Sequence, residues 1–448
     1  METETLPPLL ALPSELVHHI LSYLTLPDLL TTGLVSRAVH EHTLEDTLWH
    51  TFVQDQVPER IPKPANLTWR ELFIQHHPYW FLTKKKIWFA DIPHTGKLLV
   101  ARYDHRINAI EAYALVAERR QPTFQTWEYN PDAIIHTFSP KVQLDLNAAV
   151  IRLDAEAYER ASGDIGYRLQ KEIPMNVSYE LSPSTPAQKP ATLDDMSTST
   201  FRIRRWMEFA PRHHGLSMRI GEDISTWATL PEECYTPTAQ KPWQGIWCGD
   251  YAGHGCEFLV IMQPDNPQPL PERAEWAMRS RERDGSVSSD GSWSTAPTDA
   301  VASGDEDDDF ETADDLEDSV ATLQAAFHAA SSGSHTEEDV EEQDESVYQG
   351  RIEAVKLTGD PNIPRGEYTF IAPDIGQNGL LRVASEDMFK GARIVKSVGH
   401  IAARGFRDDT YMTSQLILIS HDRLAQYWET FGHVSFYQRV NINDFSRV

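Results

Sequence analysis

Beyond Trp69 the chain is written in short runs rich in aromatic and β-branched residues. They include IWFADI, KLLVARYD, NAIEAYALV, KVQLDLNAAVIRL, SMRI, FLVIM, RIEAVKL, YTFIA, QLILIS and VSFYQRV, and Gly, Pro or Asp interrupts them roughly every 8 to 15 residues. That punctuation constrains the fold more than any other feature. Short runs separated by turn residues suit an antiparallel sandwich or barrel. A βαβ array needs amphipathic helices of about 10 to 15 residues between its strands, and few segments here qualify. The expected class is therefore multi-domain α+β, a helical leader followed by a mainly antiparallel β-barrel domain.

The leader has the other periodicity. Leu16, Val17, Ile20, Leu21 and Leu24 recur at helical spacing and share one face. Pro13 and Ser14 suit the first turn, and Pro27 and Asp28 break the pattern and start a second apolar set of Leu29, Leu30, Leu34 and Val35. A third segment runs from about Leu44 through Leu48, Trp49, Phe52 and Val53. Three short helices with apolar side chains on more than one face either pack on the β domain or await a partner.

Between Asp305 and Glu345 stand 17 acidic residues and no Lys or Arg, so the net charge of -27 leaves -10 for the rest of the chain. The surrounding stretch, 264–346, is poor in large apolar residues and cannot offset the roughly 1 to 2 kcal/mol per residue that backbone ordering costs. It is expected to be a disordered insertion, with Leu316 to Ala330 as a transient helix inside it. Outside it the charge is only mildly acidic, and without a basic stripe beyond Lys84-Lys85-Lys86 and Arg202 to Arg205 the sequence gives no support for nucleic-acid or membrane binding. No run reaches the roughly 18 to 20 apolar residues of a membrane span, and the amino end lacks signal-peptide order. The three cysteines, Cys234, Cys248 and Cys256, provide no disulfide framework and suit a reducing compartment, so the expected location is cytoplasm or nucleus.

The leader residues LPSELVHHILSYLTLPDLL, GLVSRAVHEHT and LW closely resemble the F-box, a motif that docks on the Skp adaptor of cullin-based ubiquitin ligases. Carried over residue by residue, the resemblance implies that Leu12, Pro13, Leu16, Ile20, Leu21, Leu29, Leu34 and Val35 face the adaptor or support its groove. Trp49 is core or contact. GIWCGDYAGHGCEFLVI, VKLTGDPNIPRGEYTF and the stretch from Lys396 to Val440 resemble the β-barrel domain of the F-box family whose animal member binds D-type cyclins. KKIWFADIPHTGKLLVARYD looks like that family's first barrel strands. The acidic insertion after the GHGCE strand departs from the pattern. The implied organisation is an F-box over 1–60, a barrel over 61–263 and 347–448, and the insertion at 264–346.

The resemblance implies a non-catalytic substrate receptor of a Skp-cullin-F-box ligase, without cofactor or metal, whose partners are the Skp adaptor, cullin through it, and a protein substrate held by a short peptide segment. Gly253-His254-Gly255 reads as a tight hairpin turn, structural or substrate-binding, and the Asp360 to Gly366 tract as a pair of rigid bends. Both are expected on one rim of the barrel, with Trp247, Tyr251, His254, Phe258 and Arg365 as candidate substrate contacts, while Lys356 reads as a solvated cation. Two alternatives stay open: an adaptor-binding protein acting outside ubiquitylation, and a β-barrel hydrolase or metal enzyme using Cys248, His254 and Cys256. The last lacks a fourth ligand at standard spacing, and no P-loop, Rossmann, Gly-x-Ser-x-Gly or His-Glu-x-x-His motif occurs.

Deleting Asp284 to Asp344 is expected to leave the thermal unfolding midpoint within about 2 °C of the parent. Calorimetry of the two chains checks this, and a fall of several degrees would mark the segment as structural.

Overall fold

A computed structural model describes residues 7–90, 96–157, 168–171, 197–206, 222–251, 255–284 and 345–448. The leader forms four helices, α1 (Ser14–Leu21), α2 (Leu26–Gly33), α3 (Arg37–Thr43) and α4 (Asp46–Gln54), where the spacing predicts three. The extra break has a local cause. Ser36 is extended and its Oγ accepts the amide of Val39 at 3.2 Å, which ends one helix at Leu34 and caps the next. Two further helices, α5 (Trp69–His76) and α6 (Phe81–Lys85), occupy a stretch expected to be β. Thr68 and Glu71 close a capping box there, with Thr68 N to Glu71 Oε2 at 2.8 Å and Glu71 N to Thr68 Oγ1 at 3.1 Å.

The strands fall into two sheets. β1 (Ile87–Ala90), β2 (Leu98–Asp104) and β3 (Ala109–Glu118) form an antiparallel meander. β6 (Lys141–Leu144) and β7 (Ile151–Leu153) extend it at β3, while β8 (Arg168–Lys171), β9 (Thr200–Trp206) and β10 (Glu222–Ala228) extend it at β1. The second sheet holds the hairpin β4 (Phe124–Trp127) and β5 (Asn130–His136) together with β11 (Gly245–Asp250), β12 (Cys256–Met262), β13 (Ile352–Lys356) and β14 (Tyr368–Ala372). It continues through β15 (Leu380–Val383), β16 (Arg393–Ala403), β17 (Arg407–Ser420), β18 (Arg423–Trp428) and β19 (His433–Val440). Antiparallel pairing runs β11-β12-β13-β14-β16-β17-β18-β19, and β19 pairs back onto β11. The result is a closed eight-stranded barrel without an open edge.

This arrangement corrects the expected boundaries. IWFADI and KLLVARYD are strands of the first sheet rather than of the barrel, and from residues 61–228 only the β4–β5 hairpin joins the barrel's sheet, through parallel pairing of Ile134 and Ile135 with His433 and Val434. The insertion is also shorter than expected. Glu272–Asp284 is a helix whose Ala274 and Ala277 pack on Ile371, Val398 and Tyr411 of the barrel, with Arg281 donating to Ser414 O at 2.8 Å and paired with Glu429 at 2.6 Å. Residues 285–344, including the candidate helix Leu316 to Ala330, lie outside the described residues.

Strands β1 and β2 of the first sheet are buried on both faces, and alternation sorts their side chains between two cores. Ile87, Phe89, Leu98 and Val100 face the outer wall of the barrel, where Ile246, Phe258, Val260 and Phe436 meet them. Trp88, Ala90, Leu99 and Ala101 face the helices, closing over Val17, Leu21, Leu29, Trp49, Phe73 and Trp80. A third core fills the barrel, from Trp247, Leu259, Ile352, Phe370, Leu416 and Tyr437. Among the described residues no helix is long and apolar enough to cross a membrane.

Gly399 sets how closely the barrel wall approaches its filling. A Cβ placed there would lie 2.2 Å from Cζ3 of Trp428 and 2.7 Å from Nε2 of Gln426. Gly399→Ala is therefore expected to displace the Trp428 ring and destabilise the fold by about 1 to 3 kcal/mol, measurable by urea unfolding.

Candidate functional sites on the helical leader and at the barrel mouth

The leader separates its apolar residues into a core and an outer surface. Leu21 and Leu29 are buried with Val17, Leu48, Trp49 and Val53, so these two belong to the core and not to a docking surface. Their helical phase turns them away from Leu16, Ile20 and Leu30, so the face that the spacing assigns to Leu16, Val17, Ile20, Leu21 and Leu24 is split between core and surface. Trp49 is fixed inside as well, its Nε1 donating to Thr43 O at 2.9 Å. Leu12, Pro13, Leu16 and Ile20 remain exposed, and Leu34 and Val35, in the tight link between α2 and α3, are 84% and 76% exposed. Tyr23, Leu30 and Leu44 join them, although the motif did not single out Tyr23 or Leu44 as contacts. Several exposed apolar side chains within one small helical segment suit an interaction surface.

The second site is a cavity of about 580 Å³ at the end of the barrel where β11, β13, β16 and β18 finish and β14, β17 and β19 begin. Tyr251, Lys356, Asp360, Asn362, Ile363 and Thr369 form one side. His400 to Ala403 and Asp408 form another, and Trp428, Phe431, His433 and Ser435 complete the ring. Lys356 is 1% exposed, which corrects its reading as a solvated cation. It lies on the inward face of β13 with Ile352 and Ala354, its Nζ 2.6 Å from Glu257 Oε2, paired also with Asp360, and 4.4 Å over the ring of Tyr251. Tyr251 in turn donates to Thr369 Oγ1 at 2.9 Å. Asp360 holds its own loop, its Oδ1 accepting the amides of Asn362 at 2.6 Å and Ile363 at 2.8 Å.

Charge in this cluster is balanced internally. Burial pushes the Glu257 carboxyl up to about 8, and Lys356 only partly offsets that. Asp360 is held below the usual carboxylate range because Lys356 and the two loop amides outweigh the cost of burying it. At neutral pH the lysine is thus matched by Asp360, with Glu257 a protonated neighbour. Burial also drives the Tyr251 phenol well up, keeping it a neutral donor, and lowers His433. Beneath this layer Tyr437 donates to Gln426 Oε1 at 2.9 Å, Gln426 to Ser414 Oγ at 3.1 Å, and Ser414 lies 2.7 Å from Ser397. The mouth therefore offers fixed polar partners between apolar walls, a surface suited to backbone amides and one or two side chains of an extended peptide.

The other candidate contacts are dispersed. Trp247 is fully buried deeper in the barrel, its Nε1 donating to Trp243 O at 3.0 Å. Phe258 points the opposite way from Glu257 and packs in the core between the sheets. Arg365 sits over Phe89 of the first sheet, its Cζ 5.0 Å from the ring centroid, instead of over the cavity. His254 lies outside the described residues. Tyr251 lines the cavity together with Asp360 of the second turn. Sequence reasoning missed Glu257, Thr369, His400, Trp428, Phe431, His433 and Ser435, whose shared feature, position beside one end of a barrel, exists only once strand order is known. Among the described residues no group of three His, Cys, Asp or Glu side chains could hold a metal ion.

Two segments of the chain match known families. Residues 9–55 match an F-box-like family and residues 227–444 match the cyclin D1 binding domain. The chain is an F-box protein that resembles the cyclin-D1-binding family. Its F-box-like segment indicates an adaptor-binding subunit and its barrel domain indicates binding of a protein substrate. No curated protein matches the chain.

The pH behaviour of Glu257 is testable on the folded chain. Its carboxyl titrates near 8 in the protein and near 4.5 ordinarily, so its favourable contribution is complete below about pH 4.5 and lost as pH rises through about 8. Relative to Glu257→Gln, the wild type is expected to lose more than about 1 kcal/mol of stability across that window in urea titrations at a series of pH values. Parallel curves would show that Glu257 is ionised throughout.

Proposed function

We propose that this protein is the substrate-recognition subunit of a Skp-cullin-F-box ubiquitin ligase, itself non-catalytic, acting in cytoplasm or nucleus. The observation that carries the reading is the exposed set Leu12, Leu16, Ile20, Leu34 and Val35 on a leader whose Val17, Leu21, Leu29, Leu48 and Val53 are buried in a core. That surface suits the Skp adaptor. The barrel mouth then holds a short peptide segment of the substrate between Tyr251, Lys356 and Thr369 on one side and Trp428 and Phe431 on the other. Both sites belong to one continuous packing, since the leader shares a core with the first sheet and that sheet shares another with the barrel. The subunit contributes proximity, presenting lysines of the substrate to a charged conjugating enzyme at a set distance.

Adaptor co-purification and reconstituted ubiquitylation test the proposal. Leu16→Glu with Leu34→Glu changes only exposed positions, so the fold is expected to persist while adaptor capture falls at least tenfold, the loss expected when central apolar anchors are removed. Thr369→Val and Phe431→Ala are expected to leave adaptor capture intact and to lower substrate ubiquitylation. Wild-type adaptor recovery by the double variant overturns the docking surface. Adaptor binding without recruitment of cullin overturns the ligase role, and full ubiquitylation by both mouth variants overturns the pocket.

A further inference from the structure

Cys248 and Cys256 serve neither surface, yet their surroundings are unusual. The β11–β12 ladder pairs Cys248 with Phe258 and Asp250 with Cys256. Both cysteines therefore project from the outer side of the barrel wall as diagonal neighbours, a spacing that the right-handed twist of a hairpin brings within side-chain reach. Neither is in a disulfide, and each thiol shifts the ionisation of the other. Their exposures differ. Cys248 is completely buried in the core between the two sheets, whereas Cys256 is half-buried and opens on a cleft of about 420 Å³ walled by Lys97, Asp145 and Thr358.

This asymmetry divides the chemistry between them. The neighbouring Cys248 thiol outweighs burial and, with help from Arg119 against Asp250, draws the Cys256 thiol below its ordinary range. The Cys256 sulfur beside it and complete burial push Cys248 far up. A small neutral oxidant entering the cleft meets the more ionised sulfur first, with a protonated thiol beside it.

We propose that Cys256 and Cys248 form a peroxide-responsive thiol pair, Cys256 attacking and Cys248 resolving. The Cys256 thiolate displaces hydroxide from hydrogen peroxide, giving Cys256 sulfenic acid, and the hydroxide leaves as water on taking a proton. The Cys248 sulfur then attacks the sulfenic sulfur, the thiol proton and the sulfenic oxygen depart as water, and a disulfide remains. Two thiols are oxidised by two electrons and one peroxide is reduced to two waters. The new bond staples β11 to β12 beside Tyr251, which lines the mouth cavity.

Intact-mass spectrometry and maleimide thiol counting on the full chain, titrated with hydrogen peroxide, test this. The expected result is loss of two of the three free thiols and about 2 Da of mass, both restored by dithiothreitol, with a peptide map linking Cys248 to Cys256. Cys234, whose thiol burial pushes up, is expected to survive the same dose. In Cys248→Ala the reaction is expected to stop at a sulfenic acid that dimedone traps on Cys256, and in Cys256→Ala neither product forms. Oxidation of Cys234 before Cys256, equal dimedone labelling of Cys256 in wild type and Cys248→Ala, or three surviving thiols at a dose that fully oxidises free cysteine each overturns the proposal. Should either variant fail to fold, the wild-type thiol count and peptide map decide it alone.

Discussion

Everything else in this molecule hangs on a sheet that has no solvent face at its centre. β1 and β2 bury every residue, and alternation along them deals side chains by turns to two different neighbours, Ile87 and Phe89 to the barrel wall, Trp88 and Ala90 to the helices. A sheet exposed on one side would leave the leader and the barrel as separate bodies on a tether. Burial on both sides removes that freedom, because sliding either neighbour would open apolar surface at about 25 cal/mol per Å². The distance between the exposed face of the leader and the barrel mouth is then a property of packed side chains.

Within the barrel a second division operates along its axis. The filling is apolar around Leu259, Phe370 and Leu416 and becomes polar toward the mouth through Ser397, Ser414, Gln426, Tyr437 and Lys356. Closure of the wall makes this possible, since no backbone group of the eight strands is left seeking a partner at an edge. The buried lysine is tolerated because Asp360 neutralises it, Glu257 supplies a further bond and the face of Tyr251 covers it. Removing one member of such a set leaves the others uncompensated, whereas the intact set costs little.

How much of this is legible in the sequence differs from element to element. The leader's helical phase and its motif residues are local properties, and Leu16, Ile20, Leu34 and Val35 stand where they indicate. Leu21 and Leu29 do not, since the motif contains both core and contact positions and only burial separates them. The short β runs announce strands but not partners. IWFADI belongs to the first sheet and FLVIM to the barrel, and both look alike because each is apolar on two covered faces. That same double burial hides which parity points inward, so Trp247 and Phe258, on opposite faces, read as equivalent candidates. Lys356 resembles a surface cation until Glu257, 99 residues away, is brought beside it. The capping box at Thr68 and Glu71 is a local helix signal that the aromatic texture following it obscures.

The closing pair of the barrel also orders events in time. β19 serves three neighbours, β18, β11 and β5, and it is the last of the barrel strands to leave the ribosome. Until it arrives, β11 and β5 lack that neighbour, and the mouth lacks His433 and Ser435. The leader needs only local contacts to form its helices, and local contacts form soonest. A nascent or truncated chain can thus present the exposed face of its leader before the mouth of its barrel is complete.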